Sequence, residues 1–425
     1  MFLSSLWTLW SQNYWRDEVF RIFMAKHSLV EIVQLTYGDG QPPLYYYALK
    51  VWMMIFGDGE IVTRAFSLIA FEILVFLLLY FSRLLQPKNK MFSVSVLLLT
   101  LFNGSLVVYA FEARMYLWFI LLVFLANLSL YQKKYLPWVI FTVLGLYTHN
   151  FMVFVLLANL FWLFLDKNLN KTVLKSLFVI GVLYLPWVGV FLNQARLIIH
   201  EFWVQPFSRE IFFSSLAGIY FAYDNYPQEL RKIFTILTLI ISLSVILAPK
   251  NSFWKFNVVS LVIPLVTVIL ISLFIRPIFL ARYLSFLTVP LIFLVALFIA
   301  QKSLVRSLCL LFFAITTSLY VYQLMFPYRL KPDIRSKIIG VVGLIKEGDA
   351  IYTTPLNYFE TQYYFAKLAP ISYTKTIPIK VFYPTPLPFY VGKVLIKDEN
   401  ITNQIPANQR IFAIGENNQI TIFSK

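Results

Sequence analysis

FNVVSLVIPLVTVILISLFIRPIFLARYLSFLTVPLIFLVALFIA, residues 256–300, carries charge only at Arg276 and Arg282. On either side of these arginines lie apolar runs, 256–275 and 279–300, each long enough to cross ~30 Å of hydrocarbon as a helix. The runs are continuous rather than alternating, so they read as helices and not as barrel strands. Similar runs recur near 61–82, 91–108, 115–131, 136–148, 151–165, 173–192, 232–248 and 303–325, giving about ten membrane segments. The fold class is therefore an all-α polytopic membrane protein over residues 61–325.

Composition agrees with this. Hydrophobic residues make up 60% of the 425 positions and charged residues 13%, which excludes an ordinary water-soluble domain. The formal charge of +16 would suggest nucleic acid in a soluble protein. In a membrane protein, basic residues collect in cytoplasmic loops facing anionic headgroups, so membrane lipids are the expected partner and nucleic acid is not. One set of alternate loops holds Arg83, Lys88 and Lys90, then Lys133 and Lys134, then Lys167, Lys171 and Lys175, then Lys250 and Lys255, then Lys302 and Arg306. Those loops are expected to be cytoplasmic. The other set faces outward: residues 14–60, the turns near 109–114, 148–150 and 276–278, the long loop 193–231, and everything after 326. Cys309 is the sole cysteine, which rules out a disulfide within the chain.

The tail 326–425 changes character. Its apolar runs shorten to strand length in GDAIYTTP, KVLIKDEN and QRIFAIGENNQITIF, and it reads as a small C-terminal α/β extracytoplasmic domain. Residues 1–60 read as an outer segment. It starts with MFLSSLWTLWSQN, too short to span, as either the stub of a helix or an interfacial stretch. Two further stretches, 19–35 and 43–56, have apolar residues at helical spacing and are expected to lie flat on the membrane surface, with Pro42 and Pro43 suited to the start of the second.

Four outward segments carry side chains fit for chemistry. Asp17 and Glu18 follow Tyr14 and Trp15 at the expected water interface, where a carboxylate is a functional candidate unless it merely pairs with Arg16 or Arg21. Glu112 and Arg114 occupy a tight turn, as a site or as a pair with each other. His149 lies at another turn, and its spacing from His27 and His200 has no metal signature. Arg276 and Arg282 either snorkel to headgroups or offer a planar fork to a phosphate. The loop 193–231, with Arg196, His200, Glu201, Arg209 and Asp224, reads as a cover over a lipid carrier or as an amphipathic loop on the membrane.

Asp17-Glu18, then Gln41-Pro42-Pro43-Leu44-Tyr45, then Phe56-Gly57 and Glu60 leading to Arg64, resemble the first outer loop of bacterial GT-C-type glycosyltransferases. The resemblance is to glycosyltransferase family 39, relatives of the dolichyl-phosphate-mannose protein mannosyltransferases, with lipid A aminoarabinose transferases as cousins. Glu112-Ala113-Arg114-Met115-Tyr116, Thr148-His149, Arg282-Tyr283-Leu284 and a trailing domain with Gly348-Asp349 and Tyr363-Tyr364 extend it over nearly the whole chain. The family has a full helix before Asp-Glu, and this chain has too few residues there for one.

The resemblance implies an enzyme of the cell envelope, its site extracytoplasmic. It would move a sugar from a polyprenyl-phosphate-linked donor to a hydroxyl on a protein, lipid or polysaccharide, with inversion. Asp17 would be the general base, with Glu18 and Glu112 as the other acids. Arg64, Arg114, His149, Arg282 and Tyr283 would bind the donor phosphate. No cofactor is certain; Asp17, Glu18 and Glu112 could recruit a divalent cation. A transporter or flippase would instead need ionisable groups deep within its helices, and the spans are nearly bare of them apart from Glu72. An assembly protein would have no reason to bring acids and arginines to one face.

Overall fold

The computed structural model describes residues 2–86, 88–222, 226–301, 303–384, 386–406, 409–415 and 419–423. Lys302 and Asp224, singled out in the sequence, lie outside these. The chain divides into two compact units: the first is Met1–Leu6, Arg64–Leu192 and Phe202–Arg329, the second Trp7–Thr63, Asn193–Glu201 and Leu330–Lys425. Most of the 1–60 segment and of the 326–425 segment thus fall into the same unit.

Every predicted span contains a helix, although 279–284 are not helical and 91–108 is interrupted after Leu101. Glu60–Leu85, Lys171–His200, Gln228–Leu247, Ser252–Phe274 and the helix starting at Leu304 are long and apolar enough to cross a membrane. Lys90–Leu101 and Gly104–Ala110 form a pair bent by 55°. The runs at 115–131, 136–148, 151–165 and 279–300 become shorter helices, Tyr116–Tyr131, Tyr135–Leu146, Met152–Leu165 and Ser285–Ala300. Two of them stop for a visible reason: Lys133 and Lys167 adopt φ of 58° and 50°, and the next N–H turns back to Ser129 O at 2.8 Å and Leu163 O at 3.0 Å, closing the helix in a left-handed cap.

Phe76, Phe178, Leu185, Phe274 and Phe312 are more than half exposed on these helices, a face that water would penalise and hydrocarbon accommodates. Inside, Trp138 donates to Asn159 at 2.9 Å and Asn159 to Asn127 at 2.8 Å, satisfying polar groups that lipid cannot. The chain is a multi-pass integral membrane protein.

Contacts within the first unit sort its loops into two ends. At one end Asn89 donates to Ala300 O at 3.1 Å, Gln301 to Leu247 O at 2.9 Å, and Lys133 pairs with Asp166 at 3.5 Å, joining the basic loops. At the other, Ser105 donates to Ala222 O at 2.8 Å and Arg276 to Phe202 O at 3.0 Å. The sequence reading of 193–231 as a loop needs correction. Helix Lys171–His200 continues through its first residues, and Ser208 caps a further helix, Arg209–Phe221, by accepting from the Ile211 N–H at 3.3 Å.

In the second unit the stretch read as one helix over 19–35 is two, Arg16–Lys26 and Leu29–Thr36. The break falls at Ser28, whose hydroxyl accepts from Glu31 N while Glu31 accepts from Ser28 N at 2.7 Å, a capping box. Pro43 precedes Leu44–Phe56, which exposes Val51, Met54, Ile55 and Phe56. The tail forms a five-stranded sheet: β1 Ala350–Thr353, β2 Ile379–Phe382, β3 Ile401–Thr402, β4 Ile411–Ile414 and β5 Ile420–Phe423. The order is β3-β2-β1-β4-β5, parallel except for β5 against β4. KVLIKDEN, read as strand-length, is instead a pair of 3-10 turns, Lys393–Leu395 and Asp398–Asn400. Gly392 starts it at φ 83°, with Phe359 2.6 Å from where a Cβ would be, so a side chain is excluded twice over.

Helix Tyr358–Leu368 packs on helix Arg16–Lys26. Phe359 meets Phe20 at 5.5 Å and Phe23 at 6.1 Å, Tyr363 meets Tyr14 at 5.2 Å, and the Tyr14 N–H donates to Tyr364 Oη at 2.8 Å. Asp58 receives Lys26 at 2.7 Å and Lys367 at 2.8 Å. Burial opposes its ionisation, but the two ammonium groups win and hold its carboxyl below the usual range.

Glu18 is wholly buried, accepting from Lys331 Nζ at 2.9 Å and from the Trp15 N–H at 3.4 Å. Lys331 is 6% exposed at its side chain. Deleting one partner would remove a counter-charge from a dry site, so Lys331→Met is expected to destabilise the second unit by about 3–5 kcal/mol. Limited proteolysis across a urea series would report it, and an unshifted profile would mean that the pair is dispensable.

Candidate functional site

The first unit gathers six of the residues singled out from sequence. Arg64 and Ser67 are one turn apart and fully buried, and Ser67 donates to Arg114 O at 3.2 Å. Arg114 is held in the turn after helix Gly104–Ala110 by its N–H to Glu112 O at 2.8 Å. Its guanidinium lies 3.9 Å from the Glu112 carboxylate, donates to Tyr116 Oη at 2.9 Å and sits 4.7 Å from the Tyr116 ring centre. The pairing of Glu112 with Arg114 is therefore present, inside the protein: both are at most 3% exposed.

His149 continues the array. Its ring stacks on Phe119 at 4.8 Å and approaches Tyr116 at 6.0 Å and Tyr283 at 5.7 Å. Its Nδ1 accepts the Phe151 N–H at 3.1 Å, so a neutral ring carries its proton on Nε2, making that atom a donor. Tyr283 stacks on Phe202 at 6.4 Å. Beside it Arg282, 5% exposed, lies 5.0 Å from the Trp203 ring and 5.7 Å from the Tyr283 ring. Aromatic faces fix a guanidinium without neutralising it. Arg64, Arg114 and Arg282 are three buried guanidiniums in this unit, and the planar fork of a guanidinium matches an anion with forked oxygens.

Asp17 and Glu18 belong to the second unit. Asp17, 16% exposed at its side chain, accepts from Arg16 at 3.1 and 3.2 Å, while Arg21 donates to its backbone carbonyl at 2.6 Å. Of the two arginines named in the sequence, Arg16 therefore pairs with the carboxylate, whereas Arg21 reaches only the backbone. Asp39 accepts from Tyr46 Oη at 2.6 Å; burial pushes its carboxyl up, Tyr46 and Arg21 work against that, and Asp17 adds to it. The helix end 193–201 is tied in by Asn193 to Tyr37 O at 2.8 Å and by Gln194 to Thr36 O at 2.7 Å. Among the described residues no group of three or more His, Cys, Asp or Glu could hold a metal ion.

Sequence reasoning missed Asp39, Trp203 and Lys331. Asp39 was legible only as part of the turn YGDGQPP. The others are distant partners without a local signal.

A bundle of multi-span helices followed by a small mixed sheet is the GT-C type of fold. Two solved structures share it: ArnT from Cupriavidus metallidurans in the apo state, at 9% identity and a TM-score of 0.60, and the same protein bound to undecaprenyl phosphate, at 10% and 0.61. Each likeness covers 97% of this chain and 91% of that one, as the sequence resemblance to GT-C enzymes led one to expect of the fold. No family model and no curated protein matches the sequence.

Proposed function

We propose that this chain is a membrane glycosyltransferase that takes a sugar from a polyprenyl-phosphate donor and passes it to an acceptor hydroxyl at the outer membrane face. The observation that carries this reading is the set of buried guanidiniums of Arg64, Arg114 and Arg282, with His149 beside Tyr283, in a fold whose counterpart has been solved with undecaprenyl phosphate.

In the proposed reaction the Asp17 carboxylate takes the acceptor's proton as its oxygen attacks the anomeric carbon. The bond from that carbon to the phosphate oxygen breaks with inversion, and both electrons leave with the polyprenyl phosphate. Negative charge on the phosphate rises along this path, so fixed guanidiniums stabilise the transition state more than the ground state. Glu18, bound to Lys331, holds the Asp17 turn. Glu112 orients Arg114. The active side and the C-terminal domain are extracytoplasmic, where the basic loops of the opposite set leave them.

Membranes containing the chain, incubated with radiolabelled polyprenyl-phosphate sugars, should pass label to a protein, lipid or polysaccharide fraction. Movement of intact donor across the bilayer without transfer would support a flippase instead.

A further inference from the structure

A cavity of about 160 Å³ in the first unit takes no part in the reaction above. Its volume is far above the ~10–15 Å³ that one water needs, so it is no packing fault. Ile211, Ser215 and Gly218 recur at i, i+4 and i+7 on helix Arg209–Phe221, and this single stripe lines it. Its aromatic lining is held in place. Tyr226 stacks on Phe234 at 4.2 Å and hydrogen-bonds Ser214, and a Cβ on Gly218 would come 3.0 Å from its ring, so glycine is what lets the ring lie there. Phe279 packs on Phe207 at 4.8 Å. Three polar groups reach the cavity: the Ser215 hydroxyl, the Gln205 amide and the Arg231 guanidinium. Ser215 is 6% exposed, and none of the three makes a hydrogen bond or ion pair among the described residues. Glu210 and Glu229, acids on neighbouring turns, are exposed and do not line it. A cation and two neutral donors without an acid form a lining suited to an anion.

The position of Arg231 says which anion. It opens helix Arg231–Leu247, within the stretch Gln228–Leu247 that is long and apolar enough to cross a membrane, so its guanidinium lies at the depth of lipid headgroups. Phe212 and Ile236, on the two helices that line the cavity, are exposed where acyl chains would run. We propose that the cavity binds the phosphate of an anionic membrane lipid, at a site separate from the arginines assigned to the donor. Arg231 takes a pair of phosphate oxygens with its planar fork, and Ser215 and Gln205 donate to the others. The assignment depends neither on Asp17 nor on sugar transfer.

Fluorescent phosphatidylglycerol titrated into the full chain in a neutral detergent should bind saturably. Arg231→Ala should weaken that binding by about 20-fold and Ser215→Ala by about four-fold, with Arg231→Lys, which keeps the charge and loses the fork, between wild type and Arg231→Ala. Lys232→Ala, next in the chain and outside the cavity lining, should stay within about two-fold. Equal affinity in wild type and Arg231→Ala overturns the site. An equal loss in Lys232→Ala overturns it as well, because the lipid would then sense only summed charge.

Three further arms separate the sources of binding. Phosphatidylcholine with the same chains should bind about ten-fold more weakly, since its quaternary ammonium would face Arg231; parity would mean that the tails alone bind and overturns the proposal. Glycerol 3-phosphate, which lacks tails, should compete only at concentrations far above those of the lipid, and competition at the lipid's own concentration would replace the lipid by a soluble phosphate. Arg282→Ala should leave phosphatidylglycerol binding within about two-fold of wild type. If Arg282→Ala removes the binding and Arg231→Ala does not, the lipid occupies the donor site and the separate site falls. All of these are read without turnover, so a chain that transfers no sugar loses the transferase reading and still decides this one.

Discussion

Asp17→Asn is expected to cut turnover by about a thousand-fold while leaving the fold and the donor affinity intact, within the ~10²–10⁴ that a positioned general base supplies. The size follows from what asparagine keeps. It preserves the volume and one acceptor oxygen, so Arg16 retains a partner, and the Arg21 contact is to the backbone carbonyl and is untouched. It loses only the capacity to take a proton, the step that a weak alcohol nucleophile cannot do without. Steady-state transfer in detergent, with a thermal unfolding curve of the same sample, separates chemistry from folding. Near-normal turnover would reduce Asp17 to the partner of Arg16 and take the base assignment with it. Glu18→Gln makes the useful contrast: it breaks the pair with Lys331 and should show first as lost stability.

What was legible in the sequence was whatever leaves a local trace. Helix in lipid must be apolar over its whole length, so the spans stood out, whereas the stretches 19–35 and 193–231 were misread because Ser28 and Ser208 interrupt or start a helix through one side chain. The tail betrayed its strands by short β-branched runs, and KVLIKDEN imitated one until Gly392 turned it into 3-10 geometry. The candidate site was legible in part. Arg114, His149 and Arg282 could be picked because charge is rare near the ends of apolar runs. The partners that define their surroundings could not. Trp203 is one aromatic among many, and Lys331, the partner of Glu18, stands more than three hundred positions from it, so nothing in its own neighbourhood marks it as different from a surface lysine. Its burial against Glu18 distinguishes it.

Arg282→Ala is expected to weaken the apparent affinity for the polyprenyl-phosphate donor by about a hundred-fold, since charge-assisted hydrogen bonds to a phosphate in a dry site contribute ~1.5–3 kcal/mol. The neighbours explain why the loss should fall on the donor and not on the fold. Arg282 is buried on the faces of Trp203 and Tyr283, which remain when the guanidinium is removed and still pack against each other's surroundings through Phe202. Arg282→Lys restores the charge without the planar fork and should recover only part of the affinity. Arg276→Ala, whose guanidinium is engaged with Phe202 O at 3.0 Å, should change donor affinity far less, which controls for a general drop in positive charge. Titration with a polyprenyl phosphate lacking its sugar isolates the phosphate term. Equal affinity in wild type and Arg282→Ala would refute the phosphate role of Arg282, whereas an equal loss in the Arg276 and Arg282 variants would mean that the donor senses only the summed charge of this end of the unit and not a guanidinium aimed at it.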